Sequence, residues 1–208
     1  MASSMIHIAV ANEVNKKLNR DKSKLFIGTI APDISKLVGE SKIKSHFQDK
    51  GDNIPNLEKF LDKYKNDLND DFVLGYYIHL IVDYLWFKYF LTEIENSKMI
   101  TKLDGTEVKC NGNMFSQYIY NDYTNLNIRL IDEYELDLKI FYSEVPEFKN
   151  IIEEIPMDKI NLIVDKAGEI VENTKVRKDF VFNIDNIKKF IETSTELTLS
   201  KLKEIEIK

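Results

Sequence analysis

The chain has 208 residues, 43% of them hydrophobic and 31% charged, with only 7 glycines and 4 prolines. That length supports one compact core, and the scarcity of turn formers favours long helices over an all-β arrangement. A formal net charge of -6 argues against broad complementarity to a nucleic-acid backbone, which needs clustered Lys and Arg, so a small ligand is a better candidate than duplex DNA. Cys110 is the single cysteine, which excludes an intrachain disulfide and a zinc site built from several thiolates; a bound metal must use nitrogen and oxygen donors.

The first helix is expected to start near Ser3 or Ser4, since Ile6, Ala9, Val10, Val14 and Leu18 recur at helical spacing behind a serine cap. His7 falls on or beside that apolar face. No basic leader precedes it, and Asn12, Glu13 and Lys16 interrupt the apolar stretch early, so a cytoplasmic location is expected. Residues 26–33, FIGTIAPD, join an apolar run to Gly28 and Pro32 and read as a chain passing inward and then turning, which delivers Asp33 to a loop or helix start in the interior. SKIKSHFQDKGDN is polar and irregular, placing His46 on a connection, where functional residues are often held by a rigid frame.

From Pro55 to about Leu68 the stripe Leu57, Phe60, Leu61, Tyr64, Leu68 predicts a short amphipathic helix. A longer helix follows over roughly 71–95, apolar nearly all round, as a central helix surrounded by others would be. Its most apolar part, Phe72 to Leu91, carries Asp83, Lys88 and several tyrosines, which favours a buried core helix over a membrane span. After a loop holding Asp104-Gly105 and Gly112, a fourth helix is expected from about Met114 to Glu135, with the stripe Phe115, Ile119, Tyr123, Leu126, Leu130, Tyr134. Two more helices, about 158–173 and 184–204, carry no candidate chemistry, and VRKDFVF at 176–182 suits a short strand or a helix entry equally. The expected fold is all-α: a single-domain bundle of about six to eight helices, with the candidate metal site within 1–125 and the C-terminal helices of 156–205 packed on it.

His79 and Asp83 are the most informative pair, because a spacing of four on a helix puts both on one face, roughly 5–6 Å apart at Cβ. They can share a metal ion, or hydrogen-bond each other or a neighbouring helix. A carboxylate in so apolar a helix costs several kcal/mol unless an ion or strong donor compensates it. Tyr76 and Trp86 continue the same stripe and would line a pocket beside the ion as substrate contacts. His7 and His46 complete the chain's three histidines, each of which alone would suit a core or surface role. Asp33 either joins them or caps a helix starting at Ile34. Asp122 either points into the same interior or pairs with Arg129 or faces water. Lys42 and Lys44, just before His46, can bind a phosphate's charge or form a solvated face. Imidazole and carboxylate together suit zinc, iron, manganese, nickel or related ions.

The succession MIHIAVA, FIGTIAPD, SHF and GYYIHLIVDYLW resembles the zinc-dependent phospholipase C family, whose members are all-helical and include secreted phospholipases C and single-strand nucleases. The likeness covers roughly the first 90 residues, with weaker similarity through YIYNDY. The resemblance implies His7, Asp33, His46, His79 and Asp83 as metal ligands. Secreted members also use the amino group and carbonyl of a mature N-terminal Trp, where this chain begins with Met1, and two further histidines and a Glu after the central helix, where this chain has no histidine beyond His79. The resemblance thus points away from a trinuclear cluster and toward a mononuclear or compact dinuclear site, most simply of zinc, with Asp122 as a further candidate.

The expected function is hydrolysis of a small phosphoester by a metal-activated water, with Asp33 or Asp122 as general base. Nucleotide phosphohydrolases of the HD type are a rival, although their adjacent His-Asp pair is absent here; a metal-stabilised helical binding protein without catalysis is another. Without a basic amphipathic face, stable membrane anchoring is not expected and a soluble substrate is favoured. The aromatic-rich helices could extend into a homodimer interface.

Overall fold

The computed structural model describes residues 1–92, 97–109, 112–173 and 179–207, and their side chains apart from those of 112–116. Cys110, residues 93–95 of the expected central helix, residues 176–178 and the Phe115 side chain therefore lie outside the described residues. The chain is mostly helical, 66% helix against 4% strand, so the all-α expectation holds.

Helix α1 runs Ser4–Leu18 and starts where a serine cap should start it: Ser3 Oγ accepts from the Ile6 N–H. The same hydroxyl donates to Asn127 Oδ1 across the bundle. Met5 through Ala11 are all buried, so α1 is enclosed by other elements and not merely amphipathic. Helix α2 spans Lys22–Ile30, so the inward run expected over 26–33 is helical as far as Ile30 and turns only after it. Gly28 is helical because its missing side chain leaves room for a neighbour, as described below. Pro32, which has no N–H to donate, sits in a 3-10 turn, Ala31–Asp33, that leads into α3, Ile34–Leu37. A single helical turn, α4, Lys42–Ser45, interrupts the segment expected to be irregular.

Helix α5 spans Leu57–Tyr64 and passes into a 3-10 turn, Lys65–Asp67. Helix α6, Asp71–Leu85, is capped by Asp70, which accepts from the Phe72 and Val73 N–H groups. It then loosens into a π-helical turn, Trp86–Phe90, closed by the Leu91 N–H on the Trp86 carbonyl at 2.9 Å. Strands β1, Met99–Thr101, and β2, Glu107–Lys109, form an antiparallel hairpin in what was expected to be a loop, with Ile100 opposite Val108. Among the described residues there follow α7, Gly112–Glu133, 3-10 turns at Leu138–Phe141 and Met157–Lys159, α8, Ile160–Glu172, and α9, Ile184–Glu204.

Helix α6 is the axis of the fold: it touches α1, α2, α5 and α9, and nearly all of its residues are buried. Its closest partner is α2. The two backbones approach at reciprocal glycines, where a Cβ on Gly28 would lie 2.2 Å from the Phe72 carbonyl oxygen and one on Gly75 2.1 Å from that of Leu25. Only a residue without a side chain permits this approach. Beyond α6, Trp86 anchors an aromatic cluster with Phe90, Tyr123, Phe182 and Phe190. Helix α9 packs on α1 and α6, and α8 on α2, α3 and the turn holding Asp33. No helix among the described residues is long and apolar enough to cross a membrane.

Candidate metal centre

Four separate segments deliver five side chains to one place. His7 comes from α1, Asp33 from the 3-10 turn after α2, His46 from the residue that ends α4, and His79 and Asp83 from consecutive turns of α6. The three histidines and Asp83 have no exposed surface, and Asp33 is 9% exposed. They form two overlapping groups able to hold a metal ion, His7–His79–Asp83 and Asp33–His46–His79, each with its donor atoms within 4.8 Å of one another. His46 Nε2 lies 3.1 Å from His79 Nε2 and 3.5 Å from both Asp33 Oδ1 and Asp83 Oδ2. His7 Nε2 lies 3.3 Å from Asp83 Oδ1, and its ring stacks on that of His79 with centroids 4.0 Å apart.

The orientation of each imidazole follows from its other nitrogen. The close approach of α2 and α6 brings the Thr29 carbonyl within 2.8 Å of His79 Nδ1. A carbonyl only accepts, so Nδ1 carries the proton and Nε2 is left with a bare lone pair. His46 is fixed by a relay: its Nδ1 meets Ser45 Oγ at 2.9 Å, Ser45 Oγ donates to Ser35 Oγ, and Ser35 Oγ donates to the Pro32 carbonyl. That chain also ends on an acceptor, which makes His46 Nδ1 a donor and leaves its Nε2 bare too. Behind His46 the backbone turns through Phe47 at φ 53, in the left-handed region that favours glycine. The Phe47 ring offsets that strain by packing edge-on against Phe60, Tyr64 and Tyr76, and the Tyr76 hydroxyl ties the loop to α6 by donating to the Ser45 carbonyl.

Two imidazole nitrogens without a proton and two carboxylates therefore face one another in a space that is buried except at Asp33. His7 Nδ1, His7 Nε2 and Asp83 Oδ2 are buried with no hydrogen-bond partner, whereas buried polar atoms are nearly always paired. A cation among them would satisfy Asp83 Oδ2 and His7 Nε2 at once, so the donor set fits a metal of the kind that takes nitrogen and oxygen ligands.

The electrostatics prepare the same state. Burial by itself raises the Asp83 carboxyl, but the adjacent His7 ring, the Met1 amino group and His79 outweigh it and hold Asp83 below the usual carboxylate range. Burial likewise raises Asp33, and His46 with Lys42 pulls it well below. Burial pushes His79 well down, reinforced by His7, and pushes His46 down against the pull of Asp33. Ionised acids beside neutral imidazoles are the form that binds metal.

A pH dependence follows. His46 and His79 sit below their ordinary 6.5 in the folded chain, so unfolded chains take up those protons first and stability is lost as pH falls below about 6.5. Each group contributes up to about 1.4 kcal/mol per pH unit. Melting temperature of metal-free protein should be level above about pH 8, begin to fall below that because burial lowers the Met1 amino group from 8.0 to about 6, and fall by roughly 5–10 °C per unit below about pH 6. A level profile down to about pH 5 would show that the buried imidazoles are not held neutral. The depressed Asp33 and Asp83 add a further loss below their ordinary 3.8.

Several expected site residues lie elsewhere. Asp122 is buried, but its two oxygens accept the N–H groups of Phe180, Val181 and Phe182; it shapes the chain that feeds Phe182 to Trp86 and is neither a ligand nor a base in this cluster. Burial raises its carboxyl, with those backbone donors working against the rise. Arg129 pairs with Asp179 and not with Asp122. Tyr76 and Trp86 are wholly buried in aromatic packing and line no opening for a substrate. Lys44 is exposed on the surface, where its charge is felt by Glu153. Lys42 does turn inward, with Nζ 2.9 Å from Asp33 Oδ1 and 3.3 Å from His46 Nε2.

Asp33 is where the cluster meets a cleft. That cleft, of about 320 Å³, is walled by Leu37, Tyr120, Tyr123, Ile163 and Ile170, carries Lys36 and Lys166, and includes Asp33 as its share of the cluster. Sequence reasoning did not find these cleft residues, since they come from three distant segments and bear no local pattern. Nor could it find the Thr29 carbonyl, a backbone atom; the serine next to His46 was the one available hint of the relay. Comparison of the chain with family models, with curated proteins and with solved structures found no match, so what the centre does rests on its geometry and donor chemistry.

Proposed function

We propose that the protein is a metal-dependent hydrolase of a small phosphoester. The observation that carries this reading is the convergence of three buried imidazoles and two buried carboxylates in two overlapping donor groups, one carboxylate of which also lines a lysine-bearing cleft. A bound ion at such a centre supplies Lewis acidity toward a phosphoryl oxygen and makes a water acidic near neutral pH. Asp33, ionised and at the boundary of cluster and cleft, takes the water's proton. Lys36 and Lys166 attract the anionic end of the substrate, and Leu37, Tyr120 and Ile163 cover its organic part. The order of the five ligands along the chain, similar to that of zinc-dependent phospholipases C, supports zinc as the ion, although the donors also suit iron, manganese or nickel.

The test is elemental analysis of protein purified without added metal, followed by a panel of phosphomonoesters and phosphodiesters with and without chelator. Turnover abolished by chelation and restored by zinc is expected. Stoichiometric metal with no phosphoester turnover at all would replace this reading with that of a metal-stabilised binding protein.

A further inference from the structure

Resting on the metal reading of the same cluster, we infer that the centre takes one ion only, because the Lys42 ammonium fills the place of a second cation. Two groups of three donors invite two ions, and a pair of metals about 3.5–4 Å apart is a common device in phosphoester chemistry. Yet both groups count His79, and His79 has one lone pair to give: its Nδ1 donates to the Thr29 carbonyl at 2.8 Å, leaving only Nε2. Whichever ion takes Nε2 leaves the other group the weaker of the two sites.

The weaker group is the one Lys42 touches. An ammonium offers three N–H donors and no acceptor, so Nζ at 2.9 Å from Asp33 Oδ1 and 3.3 Å from His46 Nε2 occupies the lone pairs a second metal would need. The contact is registered in the chain, for Lys42 and His46 are four apart across the short helix α4 and so share a face. Charge points the same way: one dication and one ammonium already exceed the two carboxylates. The first ion then has His7, His79 and Asp83, three protein ligands with an open position, which is the arrangement of catalytic zinc sites. Asp33 stays free of metal.

Zinc stoichiometry after equilibrium dialysis, read by elemental analysis and by titration calorimetry, tests this on the full chain. Wild type should hold one equivalent, Lys42→Arg one, and the neutral Lys42→Met and Lys42→Gln variants two, the second weaker than the first. Lys42 is partly exposed, so these changes open no cavity, and circular dichroism checks the fold. The chain's 3 histidines all lie in the cluster, so an added equivalent cannot come from surface imidazoles. Two equivalents in wild type, or one in either folded neutral variant, overturns the role given to Lys42. Failure of every protein to bind zinc overturns the metal reading itself.

Discussion

His79→Ala is expected to abolish tight metal binding and, with it, the stabilisation that metal provides. An ion present at about a thousand times its dissociation constant stabilises the folded state by about 4 kcal/mol, worth roughly 8–16 °C in melting temperature for a chain of this size. His79 contributes to both donor groups and is fixed in its tautomer by Thr29, so no other imidazole replaces it. The substitution also leaves a cavity beside the stacked His7 ring and frees the Thr29 carbonyl, which lowers stability by about 2–3 kcal/mol whether or not metal is present. The informative quantity is therefore the difference in melting temperature with zinc and with chelator. Wild type should show the full shift and the variant almost none; an undiminished shift in His79→Ala would mean that the ion binds elsewhere.

Gly75→Ala should be nearly as damaging although it touches no ligand. Its new Cβ would stand 2.1 Å from the Leu25 carbonyl oxygen and 2.9 Å from the Thr29 nitrogen, both backbone atoms that cannot swing aside. Helices α2 and α6 must separate, at a cost of about 3 kcal/mol or more, which corresponds to a fall of roughly 6–12 °C. Separation also draws the Thr29 carbonyl from His79 Nδ1. Loss of such an orienting partner typically weakens metal affinity about 10–100-fold. Thermal melts of metal-free protein and zinc titration read the two effects separately. If both stay at wild-type values, the glycine contact is not what sets the distance between the helices.

The effects of these two substitutions mark what was legible beforehand. The spacing of His79 and Asp83 and the apolar helix around them were readable because helical periodicity places such residues on one face regardless of what surrounds them. Ser3 as a cap and the C-terminal helices were readable for the same local reason. Gly28, by contrast, read as a turn signal beside Pro32, and only the neighbouring Phe72 backbone explains its presence inside a helix. Tyr76 and Trp86 read as pocket walls because they share a stripe with His79, yet a helix buried on every side has no face left for a substrate.

Composition and local pattern by themselves determined that the chain is helical, that one helix is central, and that His79 and Asp83 share a face of it, since each of those properties is carried by a residue and its near neighbours; His7, Asp33 and His46 joined them only through a resemblance in the order of ligands along the chain. Tertiary structure alone decided that these five meet, that Asp122 is turned to the backbone of 180–182 instead, that Lys42 points inward, and that Leu37, Tyr120 and Lys166 share a cleft with Asp33. The physical reason is range: periodicity and capping act within a turn or two of helix, whereas the distances among donors from four segments are set by how closely α2 and α6 can approach.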